Sequence, residues 1–364
     1  MAKSKLLSCV ECGWTTAKWV GRCGGCGGWS TVSEAAPAIG GQAVAPASRA
    51  LPILEIDASA ADGVPTGIAE FDRVLGAGLT PGGVVLLAGE PGVGKTTLLL
   101  QVAAGWARQG RKALYITAEE SAAQVKARAE RVGAACEGLY LACESDLAVV
   151  LGHVEQLRPE LLVLDSVQTV AVPEGEGVPG GVTQIKEVAV ALGRVARQYG
   201  MPVLLVGHVT KEGAVAGPRT LEHLVDVVLS FEGDASGLRV VRASKNRFGP
   251  ADEIGCFQMA QAGLLEVPDP TGLFVSQSAQ PAPGSCLTVT QEGRRSLLVE
   301  MQALVGVART PGPRRVCHGV DLNRVLLILA VLMRRAKLRL AEREVYVSTV
   351  RGARVGDPAA DLAI

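Results

Sequence analysis

Short apolar runs alternate with amphipathic stretches through the middle of the chain. The apolar runs are typical of strands buried on both faces, and they cover residues 82–90, 112–117, 161–166 and 202–208. The amphipathic stretches have helical spacing and each ends at a glycine, and they cover residues 96–110, 122–133 and 183–200. This alternation predicts an α/β fold with a parallel-rich sheet covered by helices on both faces.

The later part of the chain has a different pattern. Apolar runs at residues 225–233 and 238–244 predict a pair of adjacent strands, and residues 344–350 predict another. The longest apolar run, residues 325–333, is far short of the roughly 20 residues that a bilayer requires, so it predicts a buried helix. Residues 357–364 have the pattern of a helix that is only beginning, which predicts an incomplete C-terminal domain.

Composition and charge limit the class of protein. The 364 residues are 48% hydrophobic, and Lys plus Arg balance Asp plus Glu at 36 each. The N-terminus lacks the apolar core of a secretion signal, so we expect a cytoplasmic protein without a membrane partner, whose nine cysteines are reduced or bind metal. The segment from Arg294 to Arg339 contains ten basic residues and two acidic residues. This segment is either a solvated helix face with loops or a surface for phosphate backbones.

Four cysteines near the N-terminus have the spacing of a metal site, Cys-x2-Cys, ten residues, Cys-x2-Cys. They are Cys9, Cys12, Cys23 and Cys26. Each pair forms a knuckle that brings two thiolates to one tetrahedral ion, so the pattern predicts a structural Zn²⁺ site with all four positions filled. Three tryptophans are expected to pack around this small unit, with base stacking as the alternative; they are Trp14, Trp19 and Trp29.

The segment GEPGVGKTT matches G-x4-G-K-[ST] between a predicted strand and a predicted helix, which is the context that a phosphate loop requires. Its backbone N–H groups and the helix N-terminus would cradle phosphate oxygens. Lys95 would reach the β- and γ-phosphates, and Thr96 would hold Mg²⁺. We therefore predict binding of ATP with Mg²⁺ by Gly89, Glu90, Pro91, Gly92, Val93, Gly94, Lys95, Thr96 and Thr97.

Polar residues also follow the neighbouring predicted strands. Asp165 ends an apolar strand beside the phosphate loop, where it can contact the nucleotide and hold Mg²⁺ together with the loop threonine. Glu119 and Glu120 follow another strand, and one of them could orient and deprotonate the attacking water. Spacing favours neither, and helix capping is the alternative for both. His208 ends a further strand and either senses the γ-phosphate or is structural.

The stretch SKNRFG comes directly after a predicted strand and places Lys245 close to Arg247. Taken alone, it is compatible with a charged turn, a nucleic-acid contact or an element that reaches a neighbouring subunit.

The chain resembles the bacterial RadA (Sms) family of DNA repair and recombination proteins over essentially its whole length. The resemblance is carried, in order, by the four-cysteine unit, GEPGVGKTT, LLVLDSVQT, GHVTKEGAVAGPRTLEHLVDVVLSFEG and KNRFG. It implies a RecA-like ATPase core joined to a Lon-protease-like α+β domain. It also implies a hexameric ring that moves on single-stranded and branched DNA and drives branch migration with the RecA recombinase.

The resemblance further implies roles for single residues. It favours Glu119 over Glu120 as the catalytic glutamate. It gives Lys245 and Arg247 contact with the γ-phosphate bound by the neighbouring subunit, which can be worth about 10³- to 10⁵-fold in rate. In the stretch GDPAADLAI, which is similar to the serine motif of Lon proteases, Ala359 replaces the nucleophile, and an alanine methyl cannot attack a carbonyl.

The expected organisation is a zinc finger at residues 1–33, a linker at 34–60, a RecA-like ATPase domain at 61–267 and an incomplete, proteolytically inactive Lon-like domain at 268–364. The expected activity is DNA-stimulated ATP hydrolysis. The alternative is a nucleotide-switched, zinc-containing DNA-binding adaptor without motor activity.

Overall fold

A computed structural model divides the chain into two compact units, residues 1–57 and 58–364. It describes residues 7–9, 11–16, 18–34, 51–173, 175, 177–208, 221–233, 237–272, 274–276, 283–308, 312–350, 353 and 355–364. Most of the expected linker and the part of the family signature that follows His208, residues 35–50 and 209–220, lie outside this set.

The N-terminal unit is a small antiparallel sheet. Strands β1 (Leu7–Cys9), β2 (Thr15–Thr16) and β3 (Val32–Glu34) pair in the order β2-β1-β3. The buried hydrophobic residues of its described part are few, so we expect bound metal to supply much of its folding energy. They are Leu7, Cys9, Cys23 and Val32, with Trp14 and Val20 packed against them.

The packing predicted for the three tryptophans is wrong for two of them. Trp14 lies against the second knuckle, where a Cβ on Gly24 or Gly25 would collide with its ring. Trp19 and Trp29 are 71% and 72% exposed. Three short strands form one layer, and among the described residues of this unit no second layer covers these two rings.

A nine-stranded sheet forms the centre of the second unit. Its strands are β4 (Val84–Gly89), β5 (Ala113–Thr117), β6 (Leu139–Cys143), β7 (Leu161–Asp165), β8 (Val203–His208), β9 (Val227–Gly233), β10 (Leu238–Asn246), β11 (Ile254–Ala260) and β12 (Gly263–Glu266). They pair in the order β12-β11-β10-β9-β4-β8-β7-β5-β6. Strands β4 to β9 are parallel and the last three are antiparallel, which confirms the predicted α/β class.

Helices cover both faces of this sheet, as predicted. They are α1 (Ala69–Leu75), α2 (Lys95–Arg108), α3 (Ala122–Arg131), α4 (Leu147–Leu157) and α5 (Val182–Tyr199). Alternate residues of β4 belong to two separate cores. Val85 and Leu87 pack with α1, α2 and α3, whereas Val84 and Leu86 pack with α4 and α5. Among the described helices, none combines the length and the apolar character needed to cross a bilayer.

A second, four-stranded sheet follows. Its strands β13 (Ser285–Glu292), β14 (Arg295–Val307), β15 (Arg315–His318) and β16 (Arg343–Thr349) pair in the order β13-β14-β16-β15, with helix α6 (Leu322–Arg335) between β15 and β16. Its core is continuous with Leu238, Ile254 and Cys256 of the larger sheet. The two sheets therefore share buried surface.

A buried ion pair reinforces this junction. Arg295 donates from Nη1 to Oε2 of Glu70 at 2.6 Å, and the backbone N–H of Cys256 donates to the same oxygen at 2.9 Å. Glu70 is 1% exposed. The neighbouring Arg294 lies at the surface, 3.8 Å from Asp252.

The helix predicted to be buried is only half buried. Helix α6 buries Val325 and Leu329, while Leu327 and Val331 are 69% and 58% exposed. One side of the helix packs on the four-stranded sheet and, among the described residues, no second layer covers the other side.

The basic segment from Arg294 to Arg339 is not one uniform surface. Several of its arginines are bound within the fold: Arg295 to Glu70, Arg324 to Asp361, and Arg315 to the carbonyl oxygens of Arg314, Leu340 and Arg343. The basic residues at the end of α6 and just after it are exposed, namely Arg334, Arg335, Lys337 and Arg339. Among the described basic residues of this segment, those four at the end of the helix form the group of exposed cations that offers a candidate surface for phosphate backbones.

Candidate nucleotide-binding site and zinc centre

The phosphate loop lies between β4 and α2, where the sequence predicts it. Gly94 has a φ of +112°, and a Cβ there would lie 2.7 Å from Cε of Met259, so only glycine fits. Lys95 begins α2 and is 5% exposed; its Nζ donates to the carbonyl oxygens of Gly89 (2.8 Å) and Glu90 (3.0 Å). Burial lowers the pKa of Lys95, and the nearby carboxylates of Asp165 and Glu119 oppose that shift.

The two residues predicted to hold Mg²⁺ are in contact. Oγ1 of Thr96 donates to Oδ2 of Asp165 at 2.6 Å, and the hydroxyl of Tyr115 donates to the same oxygen at 2.7 Å. Burial, followed by the charge of Asp165, raises the pKa of Tyr115 well above its ordinary value. Mg²⁺ prefers oxygen ligands such as a hydroxyl and a carboxylate. Because the oxygens of Thr96 and Asp165 are adjacent, both could bind one such ion, so these residues fit Mg²⁺.

Tyr115 is a site residue that sequence reasoning missed. It lies within a buried strand run, β5, next to β7 in the sheet. A signal was present, because a tyrosine in a fully buried strand needs a partner for its hydroxyl.

Glu119 faces the site. Its Oε1 accepts a hydrogen bond from Oγ of Ser166 at 2.5 Å and lies 3.2 Å from Nε2 of His208. Ligand atoms of Glu119, Asp165 and His208 all lie within 4.8 Å of one another. The strand-end residues predicted from β7 and β8 thus converge with Glu119 at the carboxyl edge of the sheet.

Glu120 is engaged elsewhere. Its carboxylate forms a two-point ion pair with Arg128 of α3, in which Nη2 and Oε1 are 2.7 Å apart. Ser121, not either glutamate, caps α3 and forms a capping box with Gln124. The two adjacent glutamates therefore have different surroundings.

A cavity of about 630 Å³ adjoins the loop on the side of β9. It is lined by Ala88–Val93 and Val228–Gly233, together with Arg239 on β10. Arg239 donates from Nε to the carbonyl oxygen of Val93 at 2.9 Å and so contacts the phosphate loop directly, a role that no sequence motif indicated. The volume is in the range of small-molecule sites.

Lys245 and Arg247 lie at the opposite end of the sheet from the phosphate loop of the same chain. Lys245 pairs with Val228, which pairs with Leu86 of β4. Leu86 precedes Gly89 by three residues, so Lys245 lies about 10 Å along the strand from the start of the loop, and Arg247 lies farther away, at about 16 Å.

The cations are also held in place. Nζ of Lys245 donates to the carbonyl oxygen of Val225 at 2.8 Å, and Nη1 of Arg247 donates to Oδ1 of Asp226 at 3.0 Å. Asn246, between them, donates to the carbonyl oxygen of Leu75 at the end of α1 (3.0 Å). The stretch is therefore an ordered strand end and turn.

The four predicted zinc ligands come together in the N-terminal unit. The Sγ atoms of Cys9 and Cys26 are 3.7 Å apart, and those of Cys12 and Cys23 are 3.5 Å apart. A tetrahedral ion with Zn–S bonds of about 2.3 Å requires sulfur atoms about 3.8 Å apart, so the cluster fits Zn²⁺. The backbone N–H of Gly25 donates to Sγ of Cys23 at 3.3 Å, which favours the thiolate.

Comparison with known families matches this architecture. The AAA domain family matches residues 50–214, and the rubredoxin metal-binding domain family matches residues 8–34. The fold and the site thus define an AAA-type P-loop ATPase with an N-terminal zinc ribbon.

Relatives similar over the whole chain give the family. The chain is 51% identical to DNA repair protein RadA of Mycolicibacterium smegmatis, over 100% of its own length and 81% of the relative. It is 42% identical to DNA repair protein RadA of Bacillus subtilis, over 100% of its length and 81% of the relative. It is 43% identical to the Pseudomonas aeruginosa protein of that name, over 100% and 82%. The chain belongs to the RadA family of DNA repair proteins.

Proposed function

We propose that this chain is the subunit of a ring-shaped, DNA-stimulated ATPase that translocates on single-stranded DNA. In recombinational repair, it would promote branch migration together with the RecA recombinase. Within this proposal, residues 1–33 are the zinc finger, 34–60 the linker, 61–267 the RecA-like ATPase domain and 268–364 the Lon-like domain. A hexamer acting in the cytoplasm is part of the same proposal.

Hydrolysis is assigned to the cluster at the carboxyl edge of the sheet. Lys95 and the backbone N–H groups of the loop bind the phosphates, and Thr96 and Asp165 hold Mg²⁺, which neutralises phosphate charge when bound. Glu119 orients the attacking water and accepts its proton. Support for Glu119 over Glu120 comes from their contacts, because the Glu120 carboxylate is already paired with Arg128.

The cavity beside the loop is the space available for the nucleoside part of ATP. It opens directly from Gly89–Val93 and has Arg239 on its wall. With the nucleoside in this cavity, the triphosphate would have to run along the loop toward Thr96. The γ-phosphate would then lie near Glu119.

One observation carries the ring assignment, namely the separation of the cations from the loop of their own chain. A lysine or arginine about 10 to 16 Å along the sheet from the loop is on the wrong side to stabilise charge on its own γ-phosphate. The same positions can reach a neighbour's nucleotide if the amino edge of one sheet faces the carboxyl edge of the next. Hydrolysis then depends on assembly.

The C-terminal sheet is assigned to assembly and DNA contact, without peptidase activity. Ala359 stands where a Lon-type enzyme would carry its serine, and it has no nucleophilic atom. Within the described part of the basic segment, the exposed cations at the end of α6 form a group that phosphate backbones can reach.

Mixed rings test the proposal. Arg247→Ala and Lys245→Ala should bind ATP nearly normally and lose DNA-stimulated hydrolysis by about 10³-fold or more. Mixing Arg247→Ala with Lys95→Ala should restore activity, because a Lys95→Ala subunit still offers Arg247 to the intact loop of its neighbour.

The matched control mixes Lys95→Ala with Glu119→Gln. Both substitutions inactivate the part of the site that a subunit provides for its own nucleotide. Every site in such a mixture therefore carries one of the two defects, and the mixture should stay inactive at every ratio. Absence of rescue for Arg247→Ala at all ratios, or equal ATP turnover by the parent protein with and without single-stranded DNA, would reject the proposal.

A further inference from the structure

Two indole rings of the zinc ribbon remain unexplained by metal binding or packing. Trp19 and Trp29 are 71% and 72% exposed, although tryptophan is among the residues most costly to leave in water. They lie on the same part of the unit. A Cβ placed on Gly21 would be 3.7 Å from Cη2 of Trp19 and 4.0 Å from Cζ3 of Trp29, so the two rings border one spot.

The scaffold beneath these rings is fixed by backbone pairing. Arg22 and Trp29 form an antiparallel bridge, and the backbone N–H of Ser30 donates to the carbonyl oxygen of Gly21 at 2.9 Å. Nε of Arg22 donates to the carbonyl oxygen of Gly27 at 2.9 Å. The second cysteine knuckle therefore presents Trp29 at a set position relative to Gly21.

Basic residues accompany both rings, one in space and one in the sequence. The guanidinium carbon of Arg22 lies 5.7 Å from the centroid of the Trp29 ring, and exposed Lys18 immediately precedes Trp19. The acidic residue Glu11 lies toward the metal site, with Oε2 at 3.8 Å from Sγ of Cys26. The exposed surface at Trp29 is thus aromatic and cationic, and Val20, which follows Trp19 in the sequence, packs against the small core.

This chemistry distinguishes between classes of partner. The core of a protein-docking surface is depleted of charged residues, whereas Arg22 lies against the Trp29 ring and exposed Lys18 is next to Trp19 in the sequence. Single-stranded nucleic acid offers flat bases for stacking and a phosphate backbone for nearby cations, and proteins that bind it without sequence preference use aromatic rings beside basic side chains.

We infer that the Trp19–Trp29 face of the zinc ribbon binds single-stranded nucleic acid by stacking bases on the two indoles, with Lys18 and Arg22 contacting phosphates. This inference deepens the proposed function, because it gives the DNA of that proposal a second binding surface outside the ATPase. Alanine in place of either indole should weaken binding about ten-fold, and phenylalanine should retain most of the affinity, since it keeps a ring for stacking.

The test uses the full-length, zinc-loaded protein without nucleotide, titrated with oligothymidylate at fixed salt. Binding should quench indole fluorescence, because Trp106 is buried, Trp14 is packed and the two exposed rings supply the change. An abasic oligonucleotide of equal length, which keeps the phosphates and lacks the bases, should bind more weakly and cause little quenching. Zinc content, equal in all variants, shows that the ribbon is folded.

The double variant Trp19→Ala/Trp29→Ala decides the outcome. The inference stands if this variant loses most of the affinity, measured by the anisotropy of labelled oligothymidylate, while the phenylalanine pair, which has no exposed indole to quench, keeps it. It is overturned if the double variant binds oligothymidylate like the parent, or if the abasic oligonucleotide quenches equally. If parent and double variant both bind DNA and show the same DNA-stimulated hydrolysis, only this inference fails. If the parent binds no DNA, the proposed function fails with it.

Discussion

The hydroxyl of Tyr115 and Oδ2 of Asp165 form a hydrogen bond of 2.7 Å across two neighbouring strands. Tyr115 is 1% exposed and Asp165 is 5% exposed, so water cannot replace this bond. The hydroxyl therefore fixes which way the carboxylate faces, and with it the oxygen that Thr96 contacts. Outer partners of this kind orient metal ligands.

Tyr115→Phe should weaken Mg²⁺ binding about ten-fold, because the ring packing is kept while the group that orients Asp165 is removed. The measurement is the Mg²⁺ concentration that half-saturates ATP hydrolysis. Tyr140→Phe, on the half-exposed strand β6, is the matched control and should leave that concentration unchanged. An unaltered Mg²⁺ requirement in Tyr115→Phe would show that Asp165 does not depend on the bond.

Glu119→Gln and Glu120→Gln form a second matched pair. The first should lower the turnover of bound ATP by about 10²- to 10⁴-fold, because an amide cannot accept the proton of the attacking water. The second should keep most of the turnover, since it disturbs only the pair with Arg128. Single-turnover hydrolysis with pre-bound ATP separates chemistry from binding. Equal losses in both variants would argue against Glu119 as the base.

Arg295→Ala should destabilise the second unit by about 3–5 kcal/mol, because it leaves the buried carboxylate of Glu70 without its closest cation. Arg294→Ala, one residue away, removes only an exposed pair and should cost about 0–1 kcal/mol. Denaturant unfolding of both variants gives the comparison. Adding Glu70→Gln to Arg295→Ala should recover part of the loss, and similar stabilities for the two arginine variants would contradict the assignment.

The stability contribution of Glu300 should depend on pH. Hydrogen bonds from Ser276, Ser285 and Gln302 to its carboxylate lower its pKa from 4.5 to about 2. The bonds favour the ionised form, so their contribution is complete above the unfolded pKa and is lost as pH falls toward 2. Glu300→Gln should therefore lower the melting temperature most near neutral pH, and the difference from the parent should shrink below about pH 4.5.

The control is Glu342→Gln, which removes an exposed carboxylate just before β16. Its difference in melting temperature from the parent should not change with pH in this way. A difference between Glu300→Gln and the parent that stays constant down to pH 2 would mean that Glu300 is not ionised in the folded protein.

Features determined by local pattern were predictable from the sequence. The phosphate loop needs a strand, glycines and a helix start within a few residues, and the structure has Gly94 and Lys95 in those places. Buried parallel strands are continuous apolar runs because both faces are covered. Asp165 was predictable as well, since the carboxyl ends of parallel strands share one edge.

Features determined by tertiary contact were not predictable. Arg295 is 225 residues from Glu70 in sequence, and nothing local marks the pair. Glu119 and Glu120 have equivalent positions in the sequence, and only the location of Arg128 distinguishes their contacts. Strands β6 and β12 gave no clear pattern, because edge strands are partly exposed and their residues do not form continuous apolar runs, and in β11 Gly255 and Gln258 interrupt the apolar run. The exposure of Trp19 was likewise not predictable, because it depends on whether another layer of structure covers the small sheet of the N-terminal unit.

The opposite placement of the phosphate loop and of Lys245 with Arg247 also has a consequence for symmetry. If, as proposed, these cations serve a neighbour's nucleotide, stacking the amino edge of one sheet on the carboxyl edge of the next makes a heterologous contact, unlike a twofold dimer, in which identical patches meet. Heterologous, head-to-tail contacts either close into a ring or continue as an open filament, depending on the rotation between neighbours. The junction between the two sheets, held by Glu70 and Arg295, lies next to the strands that carry these cations. The angle set at that junction would then help to decide between a closed ring and an open helix.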